Sequence, residues 1–122
     1  MHKIAHSSGA NKASGENQGK WDKFLFDQMA YFIKRLKDIR EGDQTLLDST
    51  VVLYGTSNSR THNNTKYPLL LAGGKKLGLK QGQSLVYGED IPMSNLLLTI
   101  QNKLITPRES FSDSKGELKE LA

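Results

Sequence analysis

The sequence predicts a small α/β unit, a partial doubly wound sheet of two to three strands with two main helices, and three observations carry the prediction. Residues 50–54 are short, apolar and β-branched, which suits a buried strand better than a helix, and residues 67–72 repeat that signature. Residues 21–39 and 92–104 carry apolar side chains at three- and four-residue steps, the spacing of amphipathic helices. A full doubly wound sheet needs four or more strands with helices on both faces, and this chain supplies fewer. The sheet is therefore expected to be small and exposed, or part of something larger.

Taken in order, residues 7–20 hold three glycines and almost no side chain able to anchor a core, so residues 1–20 are expected to form a flexible N-terminal segment. From Trp21 the pattern changes. Trp21, Phe24, Leu25, Met29, Phe32, Ile33, Leu36 and Ile39 share one helical face, and Asp22, Lys23, Asp27, Lys34, Arg35 and Lys37 occupy the other. Gly42 suits the left-handed position that closes such a helix. Residues 44–48 form a short connection to the first strand, and Pro68 stands early in the second, where a missing amide donor is tolerated. Residues 73–78 are a glycine-rich exit, and residues 82–87 predict a short edge strand. Pro92 fits the first turn of the second helix, with Asp90 near its positive end; Met93, Leu96, Leu97, Ile100 and Leu104 form its core stripe, and Pro107 ends it. In the polar remainder Phe111, Leu118 and Leu121 are the docking points. Residues 21–122 are read as one α/β domain or as the C-terminal fragment of a larger one.

Composition narrows the function classes. The absence of cysteine removes disulfides, zinc–thiolate sites and cysteine nucleophiles, and leaves the compartment open. No run is long and apolar enough to span a bilayer, and the first residues lack the apolar stretch of a signal peptide, so no membrane partner is expected. The net charge of +4 comes from scattered lysines and arginines; a solvated surface explains it better than a nucleic-acid site, and weak polyanion binding is only a third reading.

The chemistry-bearing residues gather between the two strands. His62 lies in a polar loop with Ser57, Asn58, Ser59, Arg60, Thr61, Asn63 and Asn64, and imidazole is both a metal ligand and a general base. Loop exposure is the simpler reading of that histidine, because no Asp or Glu occurs from Val51 to Tyr87 to assist it. Arg60 could grip an oxyanion bidentately, with Ser57 and Asn58 beside it as further anion-binding groups. His2 and His6 stand four apart in a segment with little helical character. The nucleophile elbow, the P-loop and the dinucleotide fingerprint are all absent, and no catalytic residue is assigned.

Several blocks taken together resemble a known family. They are Leu46-Leu-Asp-Ser-Thr-Val-Val-Leu-Tyr-Gly-Thr-Ser, then His62, Pro68-Leu-Leu-Leu-Ala-Gly, Met93-Ser-Asn-Leu-Leu-Leu-Thr-Ile and Glu109-Ser-Phe-Ser-Asp-Ser-Lys-Gly-Glu-Leu. Their order and spacing resemble the C-terminal end of an uncharacterised bacterial family, domain of unknown function number fifteen-fifty-two, which looks related to the alkaline phosphatase and sulfatase superfamily. The resemblance implies a longer, generally exported or periplasmic protein with a large doubly wound sheet and a divalent metal such as zinc, manganese, magnesium or calcium. In that superfamily the strand matching residues 51–54 ends in a metal-binding Asp-His pair, and a further histidine follows in the loop. Here Ser57-Asn58 stands in the pair's place, His62 fits the later histidine, and the resemblance sets His6 against a histidine-rich patch of the family. The implied nucleophile and remaining ligands lie upstream. The chain alone is thus expected to be a silent portion of a phosphate- or sulfate-ester hydrolase, with a non-catalytic binding or oligomerisation module as the alternative. Its expected partner is a second copy or a missing upstream segment covering the sheet.

Overall fold

A computed structural model describes residues 2–59, 62–105 and 107–122. It is mixed α/β, with helices α1 (His2–Ser7), α2 (Lys12–Asp38) and α3 (Met93–Leu104) and strands β1 (Arg40–Glu41), β2 (Gln44–Thr45), β3 (Val51–Gly55) and β4 (Leu69–Gly73). The strands form two separate antiparallel pairs, β1 with β2 and β3 with β4.

α2 starts at Lys12, within the segment expected to be flexible. Its signal is polar. The Asn11 side chain accepts from the Ser14 amide at 2.9 Å, and Lys12 faces Glu16 at 3.9 Å one turn on. Gln18 donates to Asp22 at 2.6 Å, and Lys23 to Asp27 at 2.6 Å. These local bonds offset Gly15 and Gly19, each of which costs a helix interior about 1 kcal/mol relative to alanine. Gly15 also lets the Ser8 carbonyl approach: a Cβ there would lie 3.3 Å from that oxygen.

The helix ends at Asp38 with Ile39 as its cap, so Gly42 does not close it. Gly42, at φ 65°, instead turns the β1–β2 hairpin, where the left-handed conformation suits the tight connection. A 3₁₀ turn over Leu46–Ser49 then leads into β3. Asp48 fixes its start, accepting from the Thr45 amide at 2.8 Å and the Thr45 hydroxyl at 2.7 Å.

β3 and β4 pair in a register running from Val51 opposite Gly73 to Gly55 opposite Leu69. The burial expected of β3 is met only in part. Val51, Val52, Leu53 and Tyr54 are half-buried, because a two-stranded sheet has no neighbouring strands to help close its layers. Residues 82–87, expected as an edge strand, form none: Gly82 sits at φ 77°, and Leu85, Val86 and Tyr87 are left exposed.

α3 covers the expected residues from Met93 on, but its buried face is Ser94, Asn95, Leu98 and Thr99 rather than the expected stripe, of which Met93, Leu96, Leu97 and Ile100 are half-buried and Leu104 is exposed, because the polar face is the one that holds the chain's end. Thr99, fully buried, accepts from the Leu118 amide through Oγ1 at 2.8 Å, and buried Asn95 accepts from the Lys115 amide at 2.8 Å. The Leu121 carbonyl accepts from the Lys80 amide at 3.0 Å. Leu79, Leu98, Leu118 and Leu121 form the buried core there, while Met29 and Leu36 are the buried residues of α2. Phe24, Tyr31 and Phe32 of α2 stay half or more exposed. Among the described residues no helix is long and apolar enough to cross a membrane.

Candidate functional site

The loop joining β3 to β4 is shaped by its own short polar side chains. Thr56 Oγ1 accepts from the Asn58 amide at 3.2 Å and donates to the Asn58 carbonyl at 3.1 Å. The Ser59 amide donates to the Asn63 carbonyl at 2.8 Å, and Asn63 Oδ1 accepts from the amide and hydroxyl of Thr65 at 3.0 and 2.8 Å. Such side-chain turns are what Asn, Ser and Thr supply in loops. They set His62 at φ 63° and Lys66 at φ 54°, left-handed conformations uncommon for residues with a Cβ.

The fold brings the two histidine candidates together. His6, in α1, and His62, in the loop, have ring centroids 5.1 Å apart with planes inclined by 47°. His62 is exposed, and His6 is exposed as well. Two imidazoles supply half of a tetrahedral zinc site. Among the described residues no third His, Asp or Glu joins them.

The anion-binding candidates divide. Asn58 is tied into the Thr56 turn and Ser57 is exposed beside it, whereas Arg60 lies outside the described residues. Lys66, at the end of the loop, pairs with Glu89 at 3.2 Å; both side chains are largely solvated, so the pair contributes little to stability.

A second concave surface was missed in the sequence. An open cleft of about 840 Å³ lies between β4, residues 80–91, the start of α3 and the C-terminal turn, with Leu69, Leu71, Tyr87, Met93, Leu96 and Leu121 among its lining. Burial, then the nearby Glu120 carboxylate, pushes the Tyr87 phenol above its ordinary pKa. Residues 82–87 carry only the signal of an edge strand, which does not show that they wall a cleft. A smaller cleft of about 620 Å³ separates α2 from the loop end of the β3–β4 hairpin, beside the edge-on contact of Phe26 with Tyr54 at 5.4 Å.

Compared with protein-family models, with curated proteins and with solved structures, the chain matches none.

Proposed function

We propose that this chain is the late strand-loop-strand portion of a metal-dependent phosphatase- or sulfatase-like hydrolase, catalytically silent alone. It would contribute His62 and His6 to a divalent-metal site completed by residues outside it. The observation that carries the reading is the His6–His62 pair: two residues singled out separately, far apart in sequence, lie ring to ring. The sparse sheet is consistent with it, since β3 and β4 have the apolar composition of strands covered on both faces but only partial cover.

In this reading the bound metal would act as a Lewis acid and activate a water or other nucleophile. The chain's own part is to present imidazoles from α1 and from the β3–β4 loop, and to offer Ser57, Asn58 and Arg60 as neutral or cationic groups toward an anionic ester. Ser57-Asn58 in place of an Asp-His pair removes an anionic ligand, so the site formed here is weak as well as incomplete.

The experiment is calorimetric titration of the purified chain with zinc and manganese, alongside assays of p-nitrophenyl phosphate and p-nitrophenyl sulfate hydrolysis with zinc, manganese, magnesium or calcium. Weak zinc binding, lost in both His6→Ala and His62→Ala, with no turnover, is the expected result. Binding indifferent to both substitutions, or robust turnover by the chain alone, would overturn the reading.

A non-catalytic assembly module is the second reading, favoured by the exposed aromatic side chains of α2 and by the two-stranded sheet.

A further inference from the structure

The outer edge of β3 is the most specific unused surface of the molecule. β3 is hydrogen-bonded to β4 on one side; on the other, no backbone group from Val51 to Gly55 has a partner among the described residues. β4 is less open: the Gly73 carbonyl already accepts from Gln81 Nε2 at 2.7 Å, and Pro68 precedes the strand. β3 itself carries no charge and no proline, the devices by which edges normally avoid pairing. What fits such an edge is a strand, because unpaired amides and carbonyls in extended backbone demand the same array in return.

We propose that β3 pairs antiparallel with β3 of a second copy, about a twofold axis through Leu53, to give one four-stranded sheet in the order β4-β3-β3-β4. The register follows from the strand's own sequence. Centred on Leu53, all five residues of β3 are paired: Leu53 meets its copy, Val52 meets Tyr54 and Val51 meets Gly55, while Thr50 meets Thr56 just beyond. Aromatic against β-branched and threonine against threonine are favourable cross-strand pairs, and no like charges meet. A one-residue slip would turn one copy over and set its opposite face alongside, whereas the Leu53-centred register keeps corresponding faces on the same side. Doubling the sheet also passes the three strands below which a hairpin is marginal. The pairing does not depend on the hydrolase reading, since a separated piece of a larger sheet and a free-standing module present the same edge.

The test combines sedimentation velocity over a wide concentration range, hydrogen exchange resolved at residues 51–55, and cross-linking of Leu53→Cys in this naturally cysteine-free chain. The expected result is a monomer–dimer equilibrium, β3 amide protection rising with concentration, and oxidative linkage of Leu53→Cys. Leu70→Cys, on β4, should not link. A Leu53→Lys variant sets two ammonium groups opposite each other and should shift the equilibrium at least tenfold toward monomer; far-UV circular dichroism checks that it folds. If that variant unfolds, the wild-type exchange and the cysteine linkage still decide. A wild-type chain that stays monomeric overturns the proposal. So does a dimer with β3 amides exchanging freely and Leu53→Cys unlinked, which would indicate association through Phe24, Tyr31 and Phe32 of α2 instead.

Discussion

Replacing Thr99 by valine should release the C-terminal segment while leaving α3 intact. Thr99 is fully buried; its hydroxyl accepts from the Leu118 amide and donates to the Asn95 carbonyl, both at 2.8 Å. Valine keeps the branch at Cβ and nearly the volume, so packing changes little and helix propensity hardly at all. What changes is that the Leu118 amide, in a residue only 7% exposed, loses its acceptor. Stranding a buried donor costs about 1–3 kcal/mol, and the Asn95 carbonyl still accepts within the helix, so that figure is the whole expected loss. In urea, with a slope of about 1–2 kcal/mol/M for a chain of this size, the midpoint should fall by about 1 M at unchanged slope. Thr99→Ser keeps both hydrogen bonds and removes one methyl group, for a loss of about 1 kcal/mol. Hydrogen exchange should show the Leu118 amide deprotected in the valine variant and protected in the serine variant. A valine variant as stable as wild type, or with Leu118 still protected, would refute the reasoning.

Two further perturbations test the frame around the candidate site. Gly73→Ala places a Cβ 2.6 Å from the Leu47 carbonyl oxygen at a residue with φ 78°. Left-handed backbone alone costs about 1–2 kcal/mol, and the collision adds to it. Gly82→Ala, at φ 77° with open space around it, should lose only the backbone part, so equal midpoints for the two variants in chemical denaturation would contradict the assignment. Asp48 tests the pH dependence: hydrogen bonds from the Thr45 amide and then the Thr45 hydroxyl hold its carboxyl below the ordinary range. Its folded pKa lies below the unfolded one, so its stabilisation is complete above about pH 4 and is lost as pH falls through the folded value. Asp48→Asn should flatten the acid limb of the stability profile below about pH 4, measured by thermal melts, and an unchanged limb would remove Asp48 as its source.

The parts of the fold legible in the sequence are those written in apolar spacing. Trp21 to Ile39 and Met93 to Leu104 repeat at helical steps, and both regions are helical apart from Ile39. Val51 to Tyr54 and Leu69 to Ala72 are strands because short apolar runs bounded by polar turns have little else to form. The first turns of α2 carry their signal in a cap and in polar pairs one turn apart, so counting apolar residues there finds a loop. Gly42 was legible as left-handed but not as the turn of a hairpin, because two-residue strands leave almost no alternation to read. Residues 82–87 show the reverse failure: Leu85, Val86 and Tyr87 have strand composition but no strand to pair with. At the candidate site the residue types pointed to His6 and His62 one at a time. Their proximity depends on how α1 and the loop come together in space, which spacing along the chain does not encode.

The length of α2 sets a limit on how evenly this molecule can hold together. Twenty-seven helical residues extend about 40 Å, whereas a five-residue strand extends about 17 Å. A rod more than twice as long as the strands overhangs them wherever it is laid along them. Its N-terminal turns therefore rely on the short α1, the Asn11 cap and solvated side-chain pairs, which resist fraying by only a few tenths to about one kcal/mol each. Opening should travel inward from Lys12 as a gradient, separately from loss of the core at Met29 and Leu36, and the His6 side of the histidine pair sits at the end that loosens first.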